Sequence, residues 1–145
     1  MRTKEANGMG RFSVEFEVVN NDDLALVRRG FLKPDQVRRQ TIEGVVDPGA
    51  AMLVLPQTVV KPLGLRLVNK VKVRYADGRR AQRFEAKEVL VKLLGRDVTL
   101  PAVIEPKRKT ALIGAIVLEA LDLLVDSKLQ RVVPRDPRGA IYEIE

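Results

Sequence analysis

Glu43-Gly44-Val45-Val46-Asp47-Pro48-Gly49-Ala50-Ala51-Met52-Leu53-Val54-Leu55-Pro56 sets one carboxylate in a loop of small residues between two apolar runs that read as buried strands. A carboxylate with apolar neighbours loses hydration, so its charged form is disfavoured unless hydrogen bonds or a shared proton compensate. Asp47 is therefore the first candidate for chemistry. The same loop also reads as plain turn chemistry, since Pro48 and Gly49 suit the second and third positions of a type II turn.

Working outward from this stretch, most of the chain carries strand signals. Phe12-Ser13-Val14-Glu15-Phe16-Glu17-Val18 alternates apolar and polar, the period of a half-buried strand, which places Phe12 and Phe16 in the core. Asn20 to Asp23 supplies turn-forming side chains, and Leu24 to Pro34 reads as strand plus loop. Thr41 to Val46 enters the Asp47 loop as a strand and Met52 to Leu55 leaves it, followed by a helix opened by Pro56 and kept short by Pro62. Val71 to Tyr75 alternates again, and Ala76-Asp77-Gly78-Arg79 marks a hairpin tip. Further strands are expected at Phe84–Leu94 and Asp97–Ile104, then Leu112-Ile113-Gly114 and a short helix over Ile116–Leu121. A hairpin around Asp126-Ser127-Lys128 closes the domain, and Ala140 to Glu145 alternates as a last strand. Many short strands with few helices point to an all-β fold with one or two short helices, a small barrel or sandwich.

Composition narrows the chemistry. With 145 residues the chain suits one domain, and with no His and no Cys it excludes thiol nucleophiles, Ser-His-Asp triads and His- or Cys-ligated metals. Carboxylate, Lys, Tyr, Ser and Thr remain, and neither metal nor cofactor is expected. Residues 1–10 read as a flexible terminus without the apolar core of a signal peptide, which together with the lack of Cys suggests a cytoplasmic protein. Ala111 to Val125, the most apolar stretch, is broken by Gly114, Glu119 and Asp122, so no membrane span is expected. The net charge of +7 comes from dispersed groups such as Arg28-Arg29, Arg79-Arg80 and Lys107-Arg108-Lys109. With only four Phe and two Tyr to stack bases, a basic nucleic-acid-binding β-barrel ranks third among the functional readings. Glu119, Asp122 and Asp126 read as solvated or locally paired acids.

Val45-Val46-Asp47-Pro48-Gly49-Ala50, taken with Ala111-Leu112-Ile113-Gly114 and Leu118 to Asp126, resembles the retroviral-type (retropepsin-like) aspartic proteases, in particular their small bacterial relatives. In that family a catalytic Asp-Thr/Ser-Gly-Ala loop follows an apolar strand, and a later apolar-apolar-Gly strand packs beside it. The resemblance covers roughly residues 11 to 134, and it implies a closed β-barrel of the acid-protease type, one lobe per chain. It further implies an aspartic endopeptidase acting on extended segments of a peptide or protein substrate. A chain with one such loop needs a second copy, so the implied assembly is a C2 homodimer with an Asp47 from each subunit at the axis. Two carboxylates at that range share a proton: one acts as general base on water while the other polarises the peptide carbonyl. By the same resemblance Tyr75, Ala76, Asp77 and Gly78 form the flap, and Leu112, Ile113 and Gly114 support the cleft. The tail, residues 135–145, contributes a dimer-interface strand.

One residue departs from the pattern. Pro48 stands where the family carries Thr or Ser, whose hydroxyl and backbone N–H lock the two active-site loops across the axis; proline supplies neither group. The departure motivates a second reading, a catalytically impaired relative that binds peptide or dimerises.

Overall fold

The computed structural model describes residues 3–5 and 11–145. Phe12–Asn20 forms the long strand β2, on which Phe12, Val14, Phe16 and Val18 are buried, as their spacing predicts. Thr3–Glu5 lies antiparallel to it as β1, and the remainder of the terminus expected to be flexible falls outside the described residues.

Asn20 to Asp23 is not a turn. It opens helix α1, Asn21–Arg28, with the Asn20 side chain accepting the Asp23 N–H at 2.9 Å, Asp22 and Asp23 in the first turn and Arg28 in the last. The expectation of strand plus loop from Leu24 onward fails because α1 has no buried apolar stripe. The residue it buries is Asp23, whose carboxylate is bridged by Arg38 at 2.8 Å. The Arg38 hydrogen bond holds that carboxyl below its ordinary value against the opposing pull of burial.

β3 (Arg39–Val46) and β4 (Leu53–Pro56) flank the Asp47 loop. Pro56 ends β4 rather than starting a helix; a 3-10 turn over Gln57–Val59 leads into α2, Val60–Leu63, where Pro62 sits in the first turn and breaks no helical bond. β5 (Leu67–Arg74) and β6 (Arg80–Leu93) form the expected hairpin, and β6 and β7 (Arg96–Glu105) form the next. The chain continues through β8 (Ala111–Ile113), α3 (Ala115–Ala120) and the closing hairpin of β9 (Leu123–Asp126) and β10 (Arg131–Pro134).

Among the described residues, eight strands make one sheet in the order β1-β2-β3-β8-β4-β7-β6-β5, and β2 pairs with β6 as well. The run of pairings therefore returns from β6 to β2 around a core that includes Leu53, Leu55, Val89, Val91, Ile104 and Ile113. The fold is mostly β with few short helices. Ala140 to Glu145 forms no strand. Instead the Ile141 N–H donates to Asp122 Oδ2 at 3.0 Å and the Tyr142 hydroxyl donates to the Ala120 carbonyl.

Candidate functional site

Short β8 decides where Asp47 stands. It runs parallel to β3, with Val46 opposite Ile113, and antiparallel to β4, with Leu53 opposite the same Ile113. The two strands that flank the loop are thus held apart by one strand width, and the loop has to bridge β8 at its end.

Hydrogen bonds then fix the loop from within and from below. The Asp47 N–H donates to the Ile113 carbonyl at 3.0 Å, and the Ala50 N–H closes onto the Asp47 carbonyl at 3.0 Å. Asp47 Oδ1 accepts the Gly49 N–H at 3.0 Å, while Oδ2 has no partner among the described residues. On the far side the first two N–H groups of α3, from Ala115 and Ile116, donate to the carbonyls of Ala50 and Ala51 at 2.7 and 3.0 Å. Gly114 makes this approach possible: a Cβ there would stand 2.3 Å from the Met52 carbonyl oxygen and 2.8 Å from that of Ala50.

Leu112 and Ile113 thus lie on the strand between the two that flank the loop, and Gly114 follows at its end. Asp47 and Ala50 are half-buried, and Pro48 and Gly49 are exposed at the tip. The type II turn is not formed, because Gly49 does not adopt the left-handed backbone that its third position requires. Gly49 serves by lacking bulk, since a Cβ would meet Asp47 Oδ1 at 3.2 Å.

The hairpin tip is built from local chemistry. The Tyr75 N–H donates to the Arg79 carbonyl at 2.8 Å, Gly78 takes φ 88°, and Asp77 accepts from the Arg79 backbone and guanidinium at 3.0 and 2.8 Å. Asp77 is a turn residue, and the Arg79 side-chain hydrogen bond keeps its carboxyl below the ordinary value. Tyr75 reaches inward instead. Its hydroxyl donates to Glu105 Oε2 at 2.6 Å, Arg83 Nε donates to Oε1 of the same carboxylate at 3.0 Å, and the Arg79 guanidinium lies 4.8 Å from the Tyr75 ring centroid. Burial pushes the Glu105 carboxyl up, but the Tyr75 and Arg83 hydrogen bonds and the Arg83 charge outweigh it and hold the group below its usual value. The hydrogen bond to Glu105 pushes the Tyr75 hydroxyl up.

Glu105 and Arg108 are the residues that sequence reasoning missed. Burial holds the half-buried Arg108 guanidinium below its ordinary value, with the charges of Glu105 and Asp47 opposing that pull. Its Nε donates to the Thr110 carbonyl at 2.9 Å. No periodicity marks either residue, since Tyr75 and Glu105 meet only because β7 passes between β4 and β6. Asp122 also departs from expectation: it is buried and holds Arg135 at 2.9 Å. Asp126 is locally paired with Arg131, and Glu119 is exposed.

No group of three or more acidic side chains that could hold a metal occurs among the described residues, and no helix among them is long and apolar enough to cross a membrane. No protein-family model matches the chain, and no curated protein matches it in sequence. Among solved structures it is similar to the crystal structure of a retropepsin-like aspartic protease from Rickettsia conorii, with a TM-score of 0.52 and 17% identity over 86% of this chain and 81% of that one. The chain has a retropepsin-like fold.

Proposed function

We propose that the protein is an aspartic endopeptidase whose site forms when two copies bring their Asp47 loops together. The observation that carries this reading is the Asp47 loop itself: a half-exposed carboxylate at the end of β8, braced from beneath by Ile113 and α3, in a retropepsin-like fold. In the proposed C2 dimer the paired carboxylates share a proton and divide the roles of base and acid. The returning run of strand pairings acts as one closed barrel lobe per subunit, and Tyr75 to Gly78 close over an extended peptide that adds backbone hydrogen bonds as a strand does. Exposed Pro48 and Gly49 face the second loop, and the C-terminal tail lies at the subunit seam. A chain without Cys suits the reducing cytoplasm.

Incubation with an unfolded protein substrate across about pH 3 to 7 tests the proposal, because a shared-proton dyad works where one carboxyl keeps its proton. Cleavage by wild type that is abolished in Asp47→Asn is the expected outcome, and cleavage that survives in Asp47→Asn overturns the assignment.

Pro48 favours a second reading, a fold that has lost catalysis and binds peptide or dimerises. Without a hydroxyl or N–H at this position the loops lack a polar clasp, and small displacements of reacting groups cost large factors in rate. An inert wild type together with an active Pro48→Thr variant identifies this case, while Asp47-dependent turnover by wild type rejects it.

A further inference from the structure

The β5–β6 hairpin has two faces of opposite character. Its inner face is occupied by the bonds of Tyr75 and Arg83 to Glu105. Its outer face carries Lys70, Lys72 and Arg74 on β5, and Phe84, Gln82 and Arg80 directly opposite them on β6. Cross-strand partners project to one side, and all six are exposed. The Lys70 ammonium sits 5.1 Å from the Phe84 ring centroid, and Phe84 remains 45% exposed.

Three features of this face bear on what it binds. None of its four cations makes an ion pair among the described residues, as is also true of Arg28, Arg29, Lys107 and Lys109, but here the four share one face of a hairpin with an exposed ring. Arg74 and Arg80 are direct cross-strand neighbours, a like-charge pairing that weakens a hairpin unless an anion lies between the two. Beyond Glu85 the hairpin has no β7 beside it, and β5 is the last strand of the sheet, so a long ligand can lie along the arm. Lysines on an edge strand also deter aggregation. That role needs neither a second cationic strand nor an exposed ring.

We propose that this face binds single-stranded nucleic acid, with phosphates along Lys70, Lys72 and Arg74 and a base stacked on Phe84. Alternate residues of a strand are ~6.7 Å apart, a step that a stretched single strand can follow. An unpaired base offers its face to Phe84, which a base inside a duplex does not. The proposal is independent of whether Asp47 cleaves peptides.

Fluorescence anisotropy of the full chain with a labelled oligothymidylate of about 20 nucleotides, at about 50 and 200 mM salt, tests it. Wild type is expected to bind, and Lys72→Glu/Arg74→Glu to bind at least about tenfold more weakly with a salt slope smaller by about 1.4, at ~0.7 per lost phosphate contact. Phe84→Ala is expected to lose about tenfold with the slope unchanged. Lys107→Glu/Lys109→Glu, which changes net charge equally, is expected to lose less than about threefold. Circular dichroism checks the fold of each variant, and Lys72→Gln/Arg74→Gln replaces the charge reversal if that reversal unfolds the arm. Failure of wild type to bind, equal losses in the two double variants, tighter binding of duplex than of single strand, or binding to phosphatidylserine vesicles in place of the oligonucleotide would each overturn the proposal.

Discussion

At the scale of single residues, Gly114 and Asp47 are one device read from two sides. Asp47 holds its position because Ile113 accepts its N–H and because α3 grips Ala50 and Ala51, and the second contact requires backbone to approach backbone at Gly114. Gly114→Ala drives a methyl group into two carbonyls that cannot rotate away, so a loss of about 1–3 kcal/mol is expected in denaturant unfolding. Displacement of the Asp47 loop should accompany it, seen as shifts of the Gly49 and Ala50 amide resonances. Asp23 is a second such point. Asp23→Ala removes the Arg38 bridge and an acceptor for the Arg38 backbone N–H, with an expected cost of about 2 kcal/mol. Half-exposed Arg38 can return to water, which keeps the loss below that of a fully buried pair. The place of Asp47 in a loop between two strands was legible in its apolar frame. The role of Asp23 was not, because an acid in a turn-like run gives no sign that an arginine 15 positions later will cover it.

At the scale of elements, the hairpin from β5 to β6 was plain from its alternation and its Asp77-Gly78 tip, yet its attachment was hidden. Glu105 carries that attachment, and its depressed carboxyl sets the pH behaviour. A group held below its unfolded value of 4.5 contributes stability that is fully present above that pH and is lost as pH falls through the lower folded value. Wild type should therefore exceed Glu105→Gln in stability by about 1–2 kcal/mol at neutral pH, with the difference shrinking below pH 4.5. Thermal unfolding of both proteins across that range checks it, and a gap that stays constant with pH would contradict the ion-pair account. α1 shows the opposite kind of concealment. Its caps were written in Asn20, Asp22, Asp23 and Arg28, but a helix that buries a carboxylate instead of an apolar stripe does not show the period by which helices are recognised.

At the scale of the whole molecule, the tail is a joint within the chain, and association of two copies is the joint that the proposed function adds. Residues after Pro134 are tied back through Arg135 and Ile141 to buried Asp122, so Arg135→Ala should cost about 2 kcal/mol by stripping a buried carboxylate of its cation. If two copies complete the site, the melting temperature should rise with protein concentration, since association stabilises the folded state by mass action. Equilibrium sedimentation measures the same constant directly. Most of the strands along the chain, the loop around Asp47 and the tip at Gly78 follow from the sequence alone, because alternation and turn chemistry are local and are written in adjacent residues. The insertion of β8 between β3 and β4 and the meeting of Tyr75 with Glu105 were decided only by the tertiary structure. Each depends on which distant strands pair, and pairing is chosen by the burial of the whole core rather than by any one segment.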